Sequence, residues 1–378
     1  MKKQAETGKL ALWGVGGQGI RVVFSLPEEV RRLVNPVAAD ADIQSLVCAP
    51  PGGKIRIGSE PAGGGFDDDP EKLERAFRES EEKIREKLSS VRTLLIAGGL
   101  GGAVSSTVIP ALCRLAGKMK LPALAFVTRP FGFEGKQRDR VFRESRERII
   151  KSGAGLVCFS LDRLVGEVDD DTPHQEVFHR CDRILRDAVE CAAAYLSAPP
   201  EAGGSRSGLV RLLSVPGEAV LGTEPADGPG DLVRAAKAAL SSLALTPAEL
   251  AGTRGILVQV DSPGPLPFRQ VEKAVGAVSG VLGEDTELLY TVSLSGRTGG
   301  EIIFRILAAG LPGRRARAAP GPLPVAKTAE GTRPRQKEID FNKFTRGVFA
   351  ASEPTSREGE DLDIPTFVRQ GVRLDEED

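Results

Sequence analysis

Between Leu94 and Asp162 the chain alternates short apolar runs with longer amphipathic ones, and this restricts the fold more than any other feature. An apolar run, Leu94–Ala97, enters a glycine-rich turn at Gly98–Gly102, and a helix is expected from about Ser106. A second apolar run, Ala123–Val127, leads into Thr128-Arg129-Pro130-Phe131-Gly132-Phe133-Glu134-Gly135-Lys136. Another helix and another strand follow. Strands separated by helices return by crossovers, so they pair in parallel, and the block reads as βαβαβ.

The 378 residues are enough for two domains and a tail. Lys and Arg number 51 against 52 Asp and Glu, so the chain lacks the basic footprint of a nucleic-acid binder. The five cysteines, Cys48, Cys113, Cys158, Cys181 and Cys191, are scattered and odd in number; they read as reduced, packed small hydrophobes. His174 and His179 have no cysteine at zinc spacing, so no metal site is expected from them. No apolar run reaches the ~18 residues of a membrane span, and no signal-peptide core is present. A soluble cytoplasmic chain without direct membrane insertion is expected.

Near the start, Leu10–Gly14 is a short apolar strand running into Gly14-Val15-Gly16-Gly17-Gln18-Gly19, and Ile20–Val34 has a helical rhythm. A glycine turn between strand and helix offers free N–H groups and the positive end of a helix dipole to a phosphate. The turn fits a Rossmann dinucleotide enzyme, a tubulin-type nucleotide loop or a plain tight connection. Asp40 and Asp42 stand near the spacing of a Rossmann acid but not cleanly at the end of a second strand. Lys54–Gly58 alternates as a strand, and Asp69-Pro70-Glu71 reads as a helix cap with proline at the first position. Glu71–Leu88 reads as a charged amphipathic helix with a solvated outer face, and Gln175–Leu196 as a long helix with apolar residues at helical spacing. Ser197–Ser207 is a Pro/Gly/Ser break. Beyond it come an apolar segment (Leu209–Leu213), helices at Asp231–Leu243 and Val271–Leu282, and strands at Gly255–Val260, Leu288–Leu294 and Ile302–Ala308, the last closing the sheet. From Pro312 the composition is that of a disordered linker. Two motifs interrupt it: Phe341–Phe349, with three phenylalanines, and Asp361-Leu362-Asp363-Ile364-Pro365-Thr366-Phe367-Val368-Arg369.

Thr128, Pro130, Phe131, Phe133, Glu134, Gly135 and Arg138 match, at fixed spacing, a T-K-P-F-x-F-E-G-x-x-R segment; with the order of everything around them, the chain resembles FtsZ, the bacterial tubulin homologue. The resemblance implies an α/β fold of the tubulin/FtsZ type. A Rossmann-like parallel-sheet nucleotide-binding domain (1–174) is joined by a central helix (175–198) to a smaller α/β domain (199–311), with a disordered linker (312–360) and a partner-binding tail (361–378). It implies GTP or GDP, with Mg2+, at Gly16, Gly17, Gln18, Gly19 and Arg21, at Gly101, Gly102, Ala103, Val104, Ser105, Ser106 and Thr107, and at Glu134, Arg138, Asp182 and Arg183. It further implies head-to-tail filaments at the division site. Through Asp363, Ile364, Pro365, Phe367, Val368 and Arg369 it implies docking of division proteins or membrane tethers.

Several departures bear on chemistry. Ala103 and Val104 stand where the family's signature loop has glycine and threonine, restricting the backbone's approach to phosphate and leaving the hydroxyls of Ser105, Ser106 and Thr107 either to bind phosphate or to cap a helix. The family's purine-contacting asparagine is Arg21, and its guanine-reading aspartate is Arg183, preceded by Asp182; an arginine cannot accept from a base. Three aspartates, Asp67–Asp69, replace small neutral residues in the loop that senses the γ-phosphate, at a repulsion of about 1–4 kcal/mol per close pair without Mg2+. The two acids that the family inserts into a neighbour's site fall at Ser205 and Gly208, so GTP hydrolysis is expected to be weak or lost.

Overall fold

The computed structural model describes residues 10–47, 49–50, 53–58, 69–165, 168–169, 171–198, 206–213, 217–294, 301–311, 356–357 and 360–361. Chain order is β1 (Leu10–Val15), α1 (Gly16–Phe24), α2 (Glu28–Leu33), β2 (Pro36–Asp40), β3 (Lys54–Arg56), α3 (Pro70–Leu88), β4 (Thr93–Gly99), α4 (Ala103–Lys118), β5 (Ala123–Arg129), α5 (Lys136–Lys151), β6 (Gly155–Ser160) and α6 (Asp162–Val165). Then come α7 (His174–Ser197), α8 (Arg206–Leu213), β7 (Glu218–Ala226), α9 (Leu232–Ser242), α10 (Pro247–Ala251), β8 (Gly255–Ser262), α11 (Phe268–Ser279), β9 (Glu287–Leu294) and β10 (Ile302–Leu311). In a separate unit, Pro320–Asp378, two-residue strands β11 (Ser356–Arg357) and β12 (Glu360–Asp361) pair antiparallel.

Ten strands form one sheet in the order β3-β2-β1-β4-β5-β6-β7-β10-β8-β9. From β3 to β6 every pairing is parallel, as the alternation of strand and helix requires. Apart from the edge strand β3, each of these strands buries both faces. Trp13, Ile96, Ala125 and Cys158 pack toward α3, α4 and α5, whereas Leu12, Leu95, Phe126 and Val157 pack toward α1, α7 and α8. A parallel contact between Phe159 and Ala219 carries the sheet across to β7. There β10 runs antiparallel between β7 and β8, and α9 and α11 cover one face over Ile256, Val258, Phe304 and Ile306.

Several boundaries differ from the sequence expectations for local reasons. The rhythm of Ile20–Val34 is two helices, because Pro27, lacking an N–H, stands between α1 and α2. Asp40 is the last residue of β2, cleanly at a strand end after all. Helix α3 is amphipathic, as expected: Leu73, Phe77, Ile84 and Leu88 are buried beneath a charged outer face, while Asp69 caps it by accepting from the N–H groups of Glu71 and Lys72 at 3.0 and 3.1 Å. Leu209–Leu213 belongs to a helix, α8. Strand β10 lies inside the sheet, and the edge is β9, which pairs parallel to β8.

Candidate nucleotide site

Two glycine turns at the carboxyl ends of adjacent parallel strands, β1 and β4, are held against each other. Gly16 has φ +71°, and a Cβ there would lie 2.3 Å from the Ser105 hydroxyl oxygen. At Gly19 a Cβ would meet the Ala97 carbonyl oxygen at 2.1 Å. Only glycine lets α1 lie this close to β4. The first turn therefore rests directly on the second, and the N-termini of α1 and α4 face the same end of the sheet. Among the described residues no side chain caps either N-terminus, so their first N–H groups remain for an anion. Gly17 is exposed, and Gly102 has open space around it.

The three hydroxyls are committed elsewhere or buried. Helix α4 starts at Ala103, three residues earlier than expected, with Gly102 as its N-cap, so Ser105, Ser106 and Thr107 lie inside the helix and are buried. The Ser105 hydroxyl donates to the Val15 carbonyl at 3.0 Å, and the Ser106 oxygen accepts from the Gly101 N–H at 2.9 Å. The Ser105 bond thus stitches the two turns together, and the Ser106 bond closes the second turn on the start of α4. Gly101 has φ +106°, a conformation glycine allows at that bend. Ala103 and Val104, half-buried, form the first turn of α4.

Gln18 reaches across both turns. Its Oε1 accepts from the Thr128 hydroxyl at 2.8 Å and would lie 2.4 Å from a Cβ at Gly99. Arg21, one turn further along α1, pairs with Asp182 of α7: Nε donates at 2.7 Å and Nη2 at 3.3 Å. Asp182, and not the exposed Arg183, therefore faces α1. Below the pair sits Cys181, whose thiol is pushed up to about 12, by burial first, with the charges of Asp182 and Glu134 adding and Arg21 opposing. Glu134 accepts from the Phe131 N–H at 2.9 Å and pairs with Arg138 one turn into α5. Phe131 stacks on the exposed Phe133 at 5.0 Å and meets Phe178 of α7 edge-on at 6.0 Å.

The structure thus gathers Gly16–Gly19, Arg21 and Asp182 with Gly101–Ser106, while Glu134 and Arg138 pair with each other at the end of β5. The Gln18–Thr128 bond, the Arg21–Asp182 pair and the contact of Phe178 with Phe131 are not marked in the sequence, since their partners lie far apart in it. Gly208 is buried inside α8, a helix and not a loop. Ser205, Asp67 and Asp68, the linker up to Thr355, and the tail residues Asp363, Ile364, Pro365, Phe367, Val368 and Arg369 lie outside the described residues. Among the described residues no group of three or more His, Cys, Asp or Glu side chains could hold a metal, and no helix is long and apolar enough to cross a membrane. The uncapped helix ends fit the phosphates of a nucleotide.

Residues 5–169 match the family model described as Tubulin/FtsZ family, GTPase domain. Among solved structures, an empty FtsZ dimer from M. jannaschii is similar at 24% identity, covering 82% of this chain and 89% of that one, with a TM-score of 0.70. The GDP-bound CetZ1 monomer from Haloferax volcanii is similar at 18% identity, covering 80% of this chain and 94% of that one, with a TM-score of 0.64. The GTPγS-bound CetZ2 protofilament from the same organism is similar at 19% identity, covering 80% of this chain and 93% of that one, with a TM-score of 0.61. Residues 5–169 thus match the Tubulin/FtsZ GTPase domain, and the chain shares its fold with FtsZ and CetZ.

Proposed function

We propose that this chain binds a guanine nucleotide at the paired glycine turns, assembles head to tail with further copies of itself, and serves cell division as a cytoplasmic filament at the division site. The observation that carries the reading is the match of residues 5–169 to a GTPase domain whose two glycine turns are locked together at Gly16 and Ser105. Phosphates would lie across the N–H groups of Gly16–Gly19 and of Gly101–Val104, and Mg2+ would enter with them. Glu134 and Arg138 would stand toward the ribose side. The similarity to an FtsZ dimer and to a CetZ2 protofilament supports assembly, and a head-to-tail contact that does not close yields open filaments.

In this reading the segment 361–378 recruits division proteins or membrane tethers through Asp363, Ile364, Pro365, Phe367, Val368 and Arg369, with 312–360 as the linker, 199–311 as the assembly domain and 175–198 as the connecting helix to the nucleotide-binding domain, 1–174. Hydrolysis is weak or lost, because a neighbour's acids are replaced by Ser205 and Gly208. Phosphate release from GTP, measured across protein concentrations, tests this. The expected result is a rate near background throughout. A rate that climbs steeply above a threshold concentration would mean that assembly completes a working hydrolytic site.

One observation favours a second reading, a scaffold that has lost nucleotide and co-assembles with an active paralogue or with tail-binding partners. The Gln18 amide fills the space over Gly99. Nucleotide content of the freshly purified protein separates the two readings: guanine nucleotide supports the first, and none, with tail-dependent partner binding intact, supports the second.

A further inference from the structure

Arg21 and Asp182 together change what the site can recognise. Arg21 is exposed, yet it is held: two of its five N–H donors go to the two carboxylate oxygens of Asp182, at 2.7 and 3.3 Å. Its side chain folds back along α1 toward the helix N-terminus, so that Nη1 lies 3.7 Å from where a Cβ at Gly17 would be. Both hydrogens of Nη1 therefore sit beside the first turn of α1, whose N–H groups no side chain caps. A guanidinium aimed by a carboxylate at an uncapped helix end is the arrangement that binds phosphate oxygens with direction as well as charge.

The same pair occupies Asp182. A carboxylate recognises guanine by accepting from its N1–H and 2-amino groups in parallel, along the edge that its two oxygens share. Here the Arg21 fork already fills that edge, with one bond to each oxygen. Asp182 is only 15% exposed, and its neighbour Arg183 is a donor only.

We propose that Arg21, aimed by Asp182, is the phosphate-binding cation of this site, and that the pair removes Asp182 from base recognition, so that the site holds purine nucleotides by their phosphates and does not read the 2-amino group of guanine. The inference rests on the reading that the site takes a nucleotide. It differs from that reading in naming which part of the nucleotide is recognised.

Equilibrium binding of fluorescently labelled GTP and inosine triphosphate to the full chain tests it, with R21A, R21K and D182N alongside and thermal melting to confirm folding. Inosine triphosphate lacks only the 2-amino group. The unaltered chain should bind the two within about threefold of each other. R21A should weaken both, by about tenfold or more for inosine triphosphate. It should also release Asp182, so that a preference for GTP of about tenfold appears. R21K keeps the charge but not the fork, and should show the same emergence of preference with a smaller loss of affinity; it carries the test if R21A does not fold. D182N should weaken both nucleotides without creating a preference.

A tenfold or greater preference for GTP in the unaltered chain would overturn the proposal while leaving nucleotide binding intact. Unchanged affinities in folded R21A or R21K would do the same. Absence of binding of either nucleotide to the folded, unaltered chain would overturn the nucleotide reading itself.

Discussion

Asp40 shows how one residue at the end of a strand can set a pH dependence. It ends β2, is 3% exposed, and accepts from the Asp42 N–H at 3.0 Å. Burial raises its pKa, against the lowering effect of the backbone N–H donors of Asp42 and Ala41. A carboxyl whose pKa is raised by folding binds its proton more readily in the folded chain. Its contribution to stability is therefore greatest below the unfolded value of ~3.9 and is lost as pH rises through the folded value. Asparagine keeps an acceptor and removes the charge. D40N should melt at a higher temperature than the unaltered chain at pH 7 and should flatten the pH dependence of melting above pH ~4. Equal melting temperatures at pH 7 would contradict this account of Asp40. At this scale much of the candidate site is legible in the sequence: the glycines of both turns stand out, and Asp69-Pro70 reads correctly as a cap. What the sequence hides is contact between distant residues. Arg21 and Asp182 are 161 residues apart, and nothing local to either marks the other. Ser105 and Ser106 look like exposed hydroxyls until the helix start at Ala103 turns them inward.

Among the elements, α7 carries the longest reach. Near its start Asp182 meets α1, and eight residues on Glu190 enters a buried polar chain. Glu190 pairs with Arg305 of β10 at 2.9 Å; Arg305 donates to Gln259 of β8 at 3.1 Å; Gln259 donates to Ser293 of β9 at 3.1 Å; Ser293 donates to Asp261 at 2.8 Å. Arg305 and Glu190 are 3% and 2% exposed. Burial works against the Arg305 charge, but Glu190 and the nearby acids hold it in the protonated form. Removing one partner leaves a buried charge uncompensated, whereas removing both leaves an apolar contact. E190Q should therefore lose about 3 kcal/mol in urea unfolding, and the double variant E190M/R305M should recover more than half of that loss. A cost for E190Q below about 1 kcal/mol would show that the pair does not hold α7 to the sheet. The helix itself is plain in the sequence because its apolar spacing is regular. The place of β10 is not, since the pattern of a strand says which faces are buried but not which strands flank it. Proline at position 27 is the visible signal that α1 and α2 are separate, and it outweighs the continuous rhythm around it.

For the whole molecule, the sheet runs unbroken from β3 to β9, parallel in its first six strands and mixed beyond. Its carboxyl-terminal edge in the parallel part carries both glycine turns, as expected for a ligand site in an open α/β sheet. In the proposed assembly, that edge of one copy meets the opposite end of the next, and nucleotide lies at the contact. A nucleotide at a subunit contact stabilises the assembly by binding the assembled form more tightly than the free one. The direct measurement is the amount of chain that pellets at high speed as total concentration rises, with GTP, with GDP and without nucleotide. The account predicts a sharp threshold concentration that is lowest with GTP, and polymer that persists because phosphate is released slowly or not at all. Identical curves in all three conditions, or no pellet at any concentration, would contradict nucleotide-dependent self-assembly.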